Sequence, residues 1–152
     1  MEHIVLNLPP AQFKVKNTEN GRLIWDVIRK KYLVLTPEEW VRQHMVHFLA
    51  NHLNVPLNQI LVERGVQTAQ LRSRFDIAIV TSKGAYMAVV ECKASTVTLN
   101  QDTVQQLMRY ADELHPRWLI VTNGLKHLIF TWDSTQSSYV QQSYFPENLT
   151  DR

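Results

Sequence analysis

Two short runs limit the fold of this chain more than any other feature. Arg74–Val80 and Tyr86–Lys93 are both apolar at successive positions, so as strands they carry hydrophobic side chains on both faces. Such strands belong in the middle of a sheet, with cover on each side. The Ser82–Ala85 segment between them holds Lys83-Gly84, a turn signal, so the two runs read as an antiparallel hairpin.

The rest of the chain supplies the cover. Thr36-Pro37-Glu38-Glu39 reads as a helix start, with Thr as the cap and Pro at the first helical position. Val41, Met45, Phe48, Leu49 and Leu53 follow at helical spacing, and the helix is expected to end near Asn54-Val55-Pro56. Thr103–Leu114 reads as a second helix, stopped before Pro116. Trp118–Thr122 and Leu128–Trp132 read as further strands around Asn123-Gly124, and Ser138–Phe145 as an edge strand. Asn20-Gly21 suggests a hairpin between Phe13–Lys16 and Leu23–Val27. The expected architecture is α/β, a central mixed β-sheet flanked by helices. With 152 residues it fits one domain: an N-terminal hairpin and extension over 1–34, a core over 35–132, and an edge and tail over 133–152.

Polar groups interrupt the apolar runs at three points. Glu91 and Lys93 are two apart and share a face, in line with Met87 and Val89, while Cys92 points the other way. Asp76 breaks the run of Phe75, Ile77 and Ile79. A hairpin centred on Lys83-Gly84 sets Asp76 opposite Glu91. Two facing carboxylates repel unless a cation lies between them. Hard oxygen ligands suit Mg²⁺ or Mn²⁺. Lys93 beside them can hold a phosphate oxygen or a water, which is the equipment for phosphodiester hydrolysis by a metal-activated water. The plainer alternative is a salt-bridged strand end.

Other features bound the function. The net charge of +2 is too small for a protein that coats nucleic acid, so phosphate contacts would come from clusters such as Arg29-Lys30-Lys31 or Arg72 with Arg74. Arg74 shares the face of Asp76. One cysteine, Cys92, rules out an internal disulfide and fits a reducing cytoplasm. Met1-Glu2-His3 shows no secretory pattern, and no apolar run reaches membrane-spanning length, so no membrane association is expected. His44 and His47 share a helix face near His52, without the pattern of a zinc site. Trp25, Trp40, Trp118 and Trp132 are scattered and read as packing, not as a base-stacking platform.

Arg74-Phe75-Asp76-Ile77-Ala78-Ile79-Val80 followed by Val89-Val90-Glu91-Cys92-Lys93-Ala94 resembles the core of the PD-(D/E)XK nuclease superfamily, a restriction-endonuclease-like fold. Gln106-Leu107-Met108-Arg109-Tyr110 resembles the Q-x-x-x-Y motif that follows this core in type I restriction subunits. Leu35 to Gln43 resembles the start of the family named after the N-terminal domain of those subunits, and the likeness runs roughly from Ile28 to Phe130. Phe75 stands where the superfamily's name places proline. The resemblance implies metal ligation by Asp76 and Glu91, a catalytic role for Lys93, and support of the site and DNA backbone contacts by Gln106 and Tyr110. It also implies an accessory metal-ligating acid on the first helix. Glu38 is in phase with Val41 and Met45 and is the expected inward residue, with Glu39 the competitor.

The expected activity is a Mg²⁺- or Mn²⁺-dependent DNA nuclease, working with a protein partner that supplies specificity or as a homodimer. The alternative is a nucleic-acid-binding or protein-interaction module that keeps the fold without turnover. DNA versus RNA, and single versus double strands, stay open. No glycine-rich phosphate loop is present, so ATP-driven translocation is not expected of this chain.

Overall fold

A computed structural model describes residues 3–67 and 72–149. Its centre is a six-stranded sheet made of β4 (Ile60–Val62), β7 (Ile77–Val80), β8 (Tyr86–Cys92), β9 (Trp118–Thr122), β10 (His127–Asp133) and β11 (Ser138–Gln142). Their order across the sheet is β11-β10-β9-β8-β7-β4. The expected central pair is there, and it is antiparallel. The one parallel neighbour pair is β8 with β9, joined by helix α2 (Gln101–Leu114) as a crossover, which makes the sheet mixed.

The doubly apolar strands are buried for the reason their sequence gives. Ile77, Ile79, Ala88, Val90 and Cys92 pack with Val41, Met45 and Leu49 of helix α1 (Pro37–Asn51). Ala78, Val89, Leu119 and Val121 pack on the other face with Leu107, Tyr110 and Ala111 of α2. Alternation along each strand thus feeds two cores, one under each helix.

Both helices start where their caps dictate. Thr36 Oγ1 accepts from the Glu39 amide, with Pro37 just inside the helix. Asn100 and Thr103 form a reciprocal capping box on α2. α1 ends three residues before the expected Asn54, and Asn54 itself has positive φ.

Four expectations need correction. The N-terminal hairpin is a three-stranded sheet, β1 (Val15–Thr18), β2 (Gly21–Asp26) and β3 (Lys31–Val34). Arg74–Val80 is not one strand: β6 (Arg72–Arg74) pairs with β5 (Gly65–Gln67), and Phe75-Asp76 separates it from β7. β4 forms the second edge of the main sheet and was too short to stand out. Met87 packs with the α1-side core, not beside Glu91, because the β7–β8 register shifts at Ile79/Val80 and leaves Met87 as the extra residue.

Gly124 links the N-terminal segment to this frame. Its carbonyl accepts from the Asn7 amide, and its φ is +84°. A Cβ there would stand 2.7 Å from Leu6 Cδ2 and 3.1 Å from Val41 Cγ2. Gly124→Ala is therefore expected to lower stability by about 1–3 kcal/mol, read as a reduced urea midpoint at unchanged slope.

Candidate functional site

The β7–β8 register sets the first two candidates together. Ile77 pairs with Val90 and Ile79 with Ala88, so the next step outward brings Asp76 to Glu91, as the turn position required. Asp76 Oδ2 accepts from the Cys92 amide at 2.8 Å. Lys93 follows at the strand end, its amide bonded to the Thr122 carbonyl of β9. Lys93 Nζ lies 3.5 Å from Gln106 Oε1 on α2, the outer limit of a hydrogen bond. Tyr110, one turn further along α2, is buried and hydrogen-bonds to the Glu91 carboxyl. Asp76, Glu91, Lys93, Gln106 and Tyr110 thus converge at the C-terminal end of β8, under the middle of α2.

Glu91 carries the strongest electrostatic signal. Burial, then the Asp76 carboxylate, push its pKa up to about 8, against the pull of Lys93 and Tyr110. Its Oε1 is buried and has no hydrogen-bond partner. A buried carboxylate oxygen without a donor is costly, and it marks a place where a proton or a cation is wanted.

Around Asp76 runs an ion-pair network that the sequence did not reveal. The Arg42 guanidinium, 6% exposed, reaches Asp76 Oδ1 and Glu38 Oε1 at 2.8 Å, Glu63 Oε1 at 3.1 Å, and Glu39. Arg29 binds Asp26, Glu39 and Glu63. Arg74 adds one further contact to Glu63. Despite burial, Asp76 and Glu39 raise the Arg42 pKa, so this guanidinium stays charged. Glu63 is held below the usual carboxylate range: burial opposes this, but Arg42, Arg74 and Arg29 prevail. With all groups ionised, the six carboxylates Asp26, Glu38, Glu39, Glu63, Asp76 and Glu91 face the four cations Arg29, Arg42, Arg74 and Lys93, an excess of two negative charges.

The two helix acids divide differently from expectation. Glu39 is the buried one, with its side chain 5% exposed, and both its oxygens are held by Arg29 and Arg42. Glu38 is 47% exposed, yet its pKa is raised by partial burial and then by Asp76, and Lys93 acts on it in the opposite sense. Glu38 therefore borders the site at the exposed edge of the network, while Glu39 is enclosed within it. The apolar stripe predicted the reverse burial because it could not foresee two arginines arriving on the Glu39 side.

The basic candidates also change. Arg29 is spent on carboxylates, so the Arg29-Lys30-Lys31 trio is not a free phosphate grip. Arg74 is 62% exposed and pairs with Glu63; the side chain of Arg72 lies outside the described residues. His44 is occupied by the Trp40 carbonyl and the Phe13 ring. Among the described residues no three His, Cys, Asp or Glu gather into a metal cage. Nor is any helix among them long and apolar enough to cross a membrane.

A mixed α/β sheet with a helix on each face and this acid–lysine cluster at one strand end defines the class of fold. Residues 37–146 match the model of the type I restriction enzyme R protein N terminus, and the chain belongs to that family. The fold is similar to a solved fragment described as an HsdR subunit of a type I restriction enzyme from Vibrio vulnificus YJ016, at a TM-score of 0.54 and 22% identity over 74% of this chain. The chain spans 24% of that fragment's length. No curated protein matches it.

Two outcomes test this geometry. Arg42→Ala leaves four carboxylates facing one another and is expected to cost about 3–5 kcal/mol by chemical denaturation, as for other broken buried pairs. For Glu91 the folded pKa lies above its ordinary 4.5. The folded state then holds the proton more tightly, so this group's stabilisation is complete below pH 4.5 and is lost as pH rises towards 8. In EDTA, the Tm of Glu91→Gln relative to wild type is expected to rise between about pH 5 and pH 8. A flat difference would contradict the assignment.

Proposed function

We propose that this chain is a PD-(D/E)XK-type nuclease domain that hydrolyses DNA phosphodiester bonds with Mg²⁺ or Mn²⁺. The observation that carries the reading is the buried, unpartnered Glu91 oxygen beside Asp76, next to Lys93. The donor set fits such a metal. Two carboxylates and, once Glu91 gives up its proton, a surplus of two negative charges suit a hard divalent cation. When bound, the metal would supply Lewis-acid stabilisation of the phosphate and an activated water.

The chain's own residues do the rest. Asp76 and Glu91 would hold the metal, and Arg42 and the Cys92 amide fix the Asp76 carboxylate in place. Lys93 provides a positive charge for the attacking water or a phosphate oxygen. Gln106 is within reach of the Lys93 ammonium and limits its orientations. Tyr110 orients Glu91. Glu38 borders the same space as an accessory acid. Family membership supports DNA as the substrate and a larger restriction complex as the setting.

A second reading is favoured by one observation: both Asp76 oxygens already have partners, Arg42 and the Cys92 amide. On that reading the domain binds nucleic acid or protein without turnover, and binding survives Asp76→Ala.

The test is cleavage of plasmid and single-stranded DNA with Mg²⁺ or Mn²⁺. Lys93→Ala and Asp76→Ala are each expected to lose about a hundredfold or more in rate. Metal-dependent cleavage unchanged in Lys93→Ala would overturn the mechanism. Binding without cleavage in any metal would favour the second reading.

A further inference from the structure

The other end of β8 opens on a separate cavity of about 600 Å³. Distant parts of the chain build it: Tyr86 at the start of β8, His115, Pro116 and Arg117 between α2 and β9, Trp132 near the end of β10, and Tyr139 on β11. Its size falls in the range of small-molecule sites, roughly 300–1,000 Å³. Five strand steps lead from Tyr86 to Glu91, roughly 16 Å at strand rise, so the cavity is not part of the acid–lysine cluster.

The aromatic rings are held in place before any ligand arrives. Trp132 and Tyr139 are cross-strand partners, with ring centroids 5.3 Å apart at 70°. The Trp132 amide donates to the Arg117 carbonyl, and the Tyr139 hydroxyl donates to the Pro116 carbonyl. Trp132 is nonetheless 46% exposed, a large flat surface facing solvent on a rigid mount. Arg117 is exposed on the rim. Of the nearby acids, Asp133 is engaged by the Thr135 and Gln136 amides, and Asp112 acts on Tyr139. Sequence spacing could not reveal this, because Tyr86, Trp132 and Tyr139 lie on three strands.

We propose that this cavity binds a single unpaired nucleotide, its base stacked on Trp132 and its phosphate directed to Arg117. Flat aromatic walls select a planar ring, and a guanidinium at the mouth selects one that carries negative charge. A free mononucleotide and an unpaired nucleotide of a strand offer the same chemistry. The proposal is independent of the nuclease reading.

Calorimetric titration of the chain in EDTA with dTMP, thymidine and oligo(dT) tests it. Saturable dTMP binding is expected, with thymidine weaker. Trp132→Ala should weaken dTMP by roughly tenfold or more. Trp132→Phe, which keeps a ring, should retain most of the affinity and guards against a folding artefact. Arg117→Ala should bring dTMP down to the thymidine level and leave thymidine unchanged. Tighter binding of oligo(dT) than of dTMP supports the site with a strand as its source, and equal binding supports it with a free nucleotide. Asp76→Ala should bind dTMP like wild type, which separates this site from the acid–lysine cluster. Absence of saturable binding by all three ligands would overturn the proposal. So would dTMP binding indifferent to both Trp132→Ala and Arg117→Ala. Equal binding of an uncharged aromatic peptide, insensitive to Arg117→Ala, would replace the nucleotide with a protein side chain and also overturn it.

Discussion

The guanidinium of Arg42 is the interaction on which the candidate site depends. It is buried at the N-terminal end of α1 and bonds to Glu38, Glu39, Glu63 and Asp76. These carboxylates come from the helix, from the segment after β4, and from the residue just before β7. Without a fixed cation, their mutual repulsion would splay these elements apart. Arginine suits the position because its planar fork presents several donors in fixed directions, and its charge is not lost on burial. Arg29 repeats the device one layer out, tying Asp26 at the end of β2 to Glu39 and Glu63. The small N-terminal sheet is thereby coupled to the candidate site through charge as well as packing.

Glu91 is the exception in this scheme. Every other carboxylate of the cluster except Glu38 is met by at least two donors, whereas one Glu91 oxygen is buried without any. The network is therefore compensated on the α1 side and uncompensated on the α2 side, where Lys93, Gln106 and Tyr110 stand. Such an imbalance costs stability and persists at sites that bind something. The physical case for a metal at Asp76 and Glu91 rests on this asymmetry more than on the presence of acidic residues.

Much of this arrangement was legible in the sequence where the governing interactions are local. Lys83-Gly84 fixed the hairpin and hence the approach of Asp76 to Glu91, and the period of two put Glu91 and Lys93 on one face. Thr36-Pro37 announced the start of α1, whereas α2, capped by Asn100, begins two residues before the expected Thr103. Reading failed where distant segments meet. Glu63 and Asp26 carry no local signal of their partners, and Glu39 was ranked behind Glu38 as the inward acid because Arg29, one of the two arginines that bury it, comes from outside its helix. Met87 was misplaced by one bulge, which a strict alternation cannot anticipate.

The sequence by itself determined the central strands, both helices, the cap of the first, and the acid–lysine set that gathers at the end of β8. These follow from side-chain periodicity and backbone capping, which act over a few residues. Tertiary structure alone decided which acid on α1 is neutralised, which carboxylate oxygen is left without a donor, and which aromatics share a cavity. Those outcomes depend on burial and on charges brought from elsewhere in the chain, and Coulomb and desolvation energies are set by distance in space, not along the sequence.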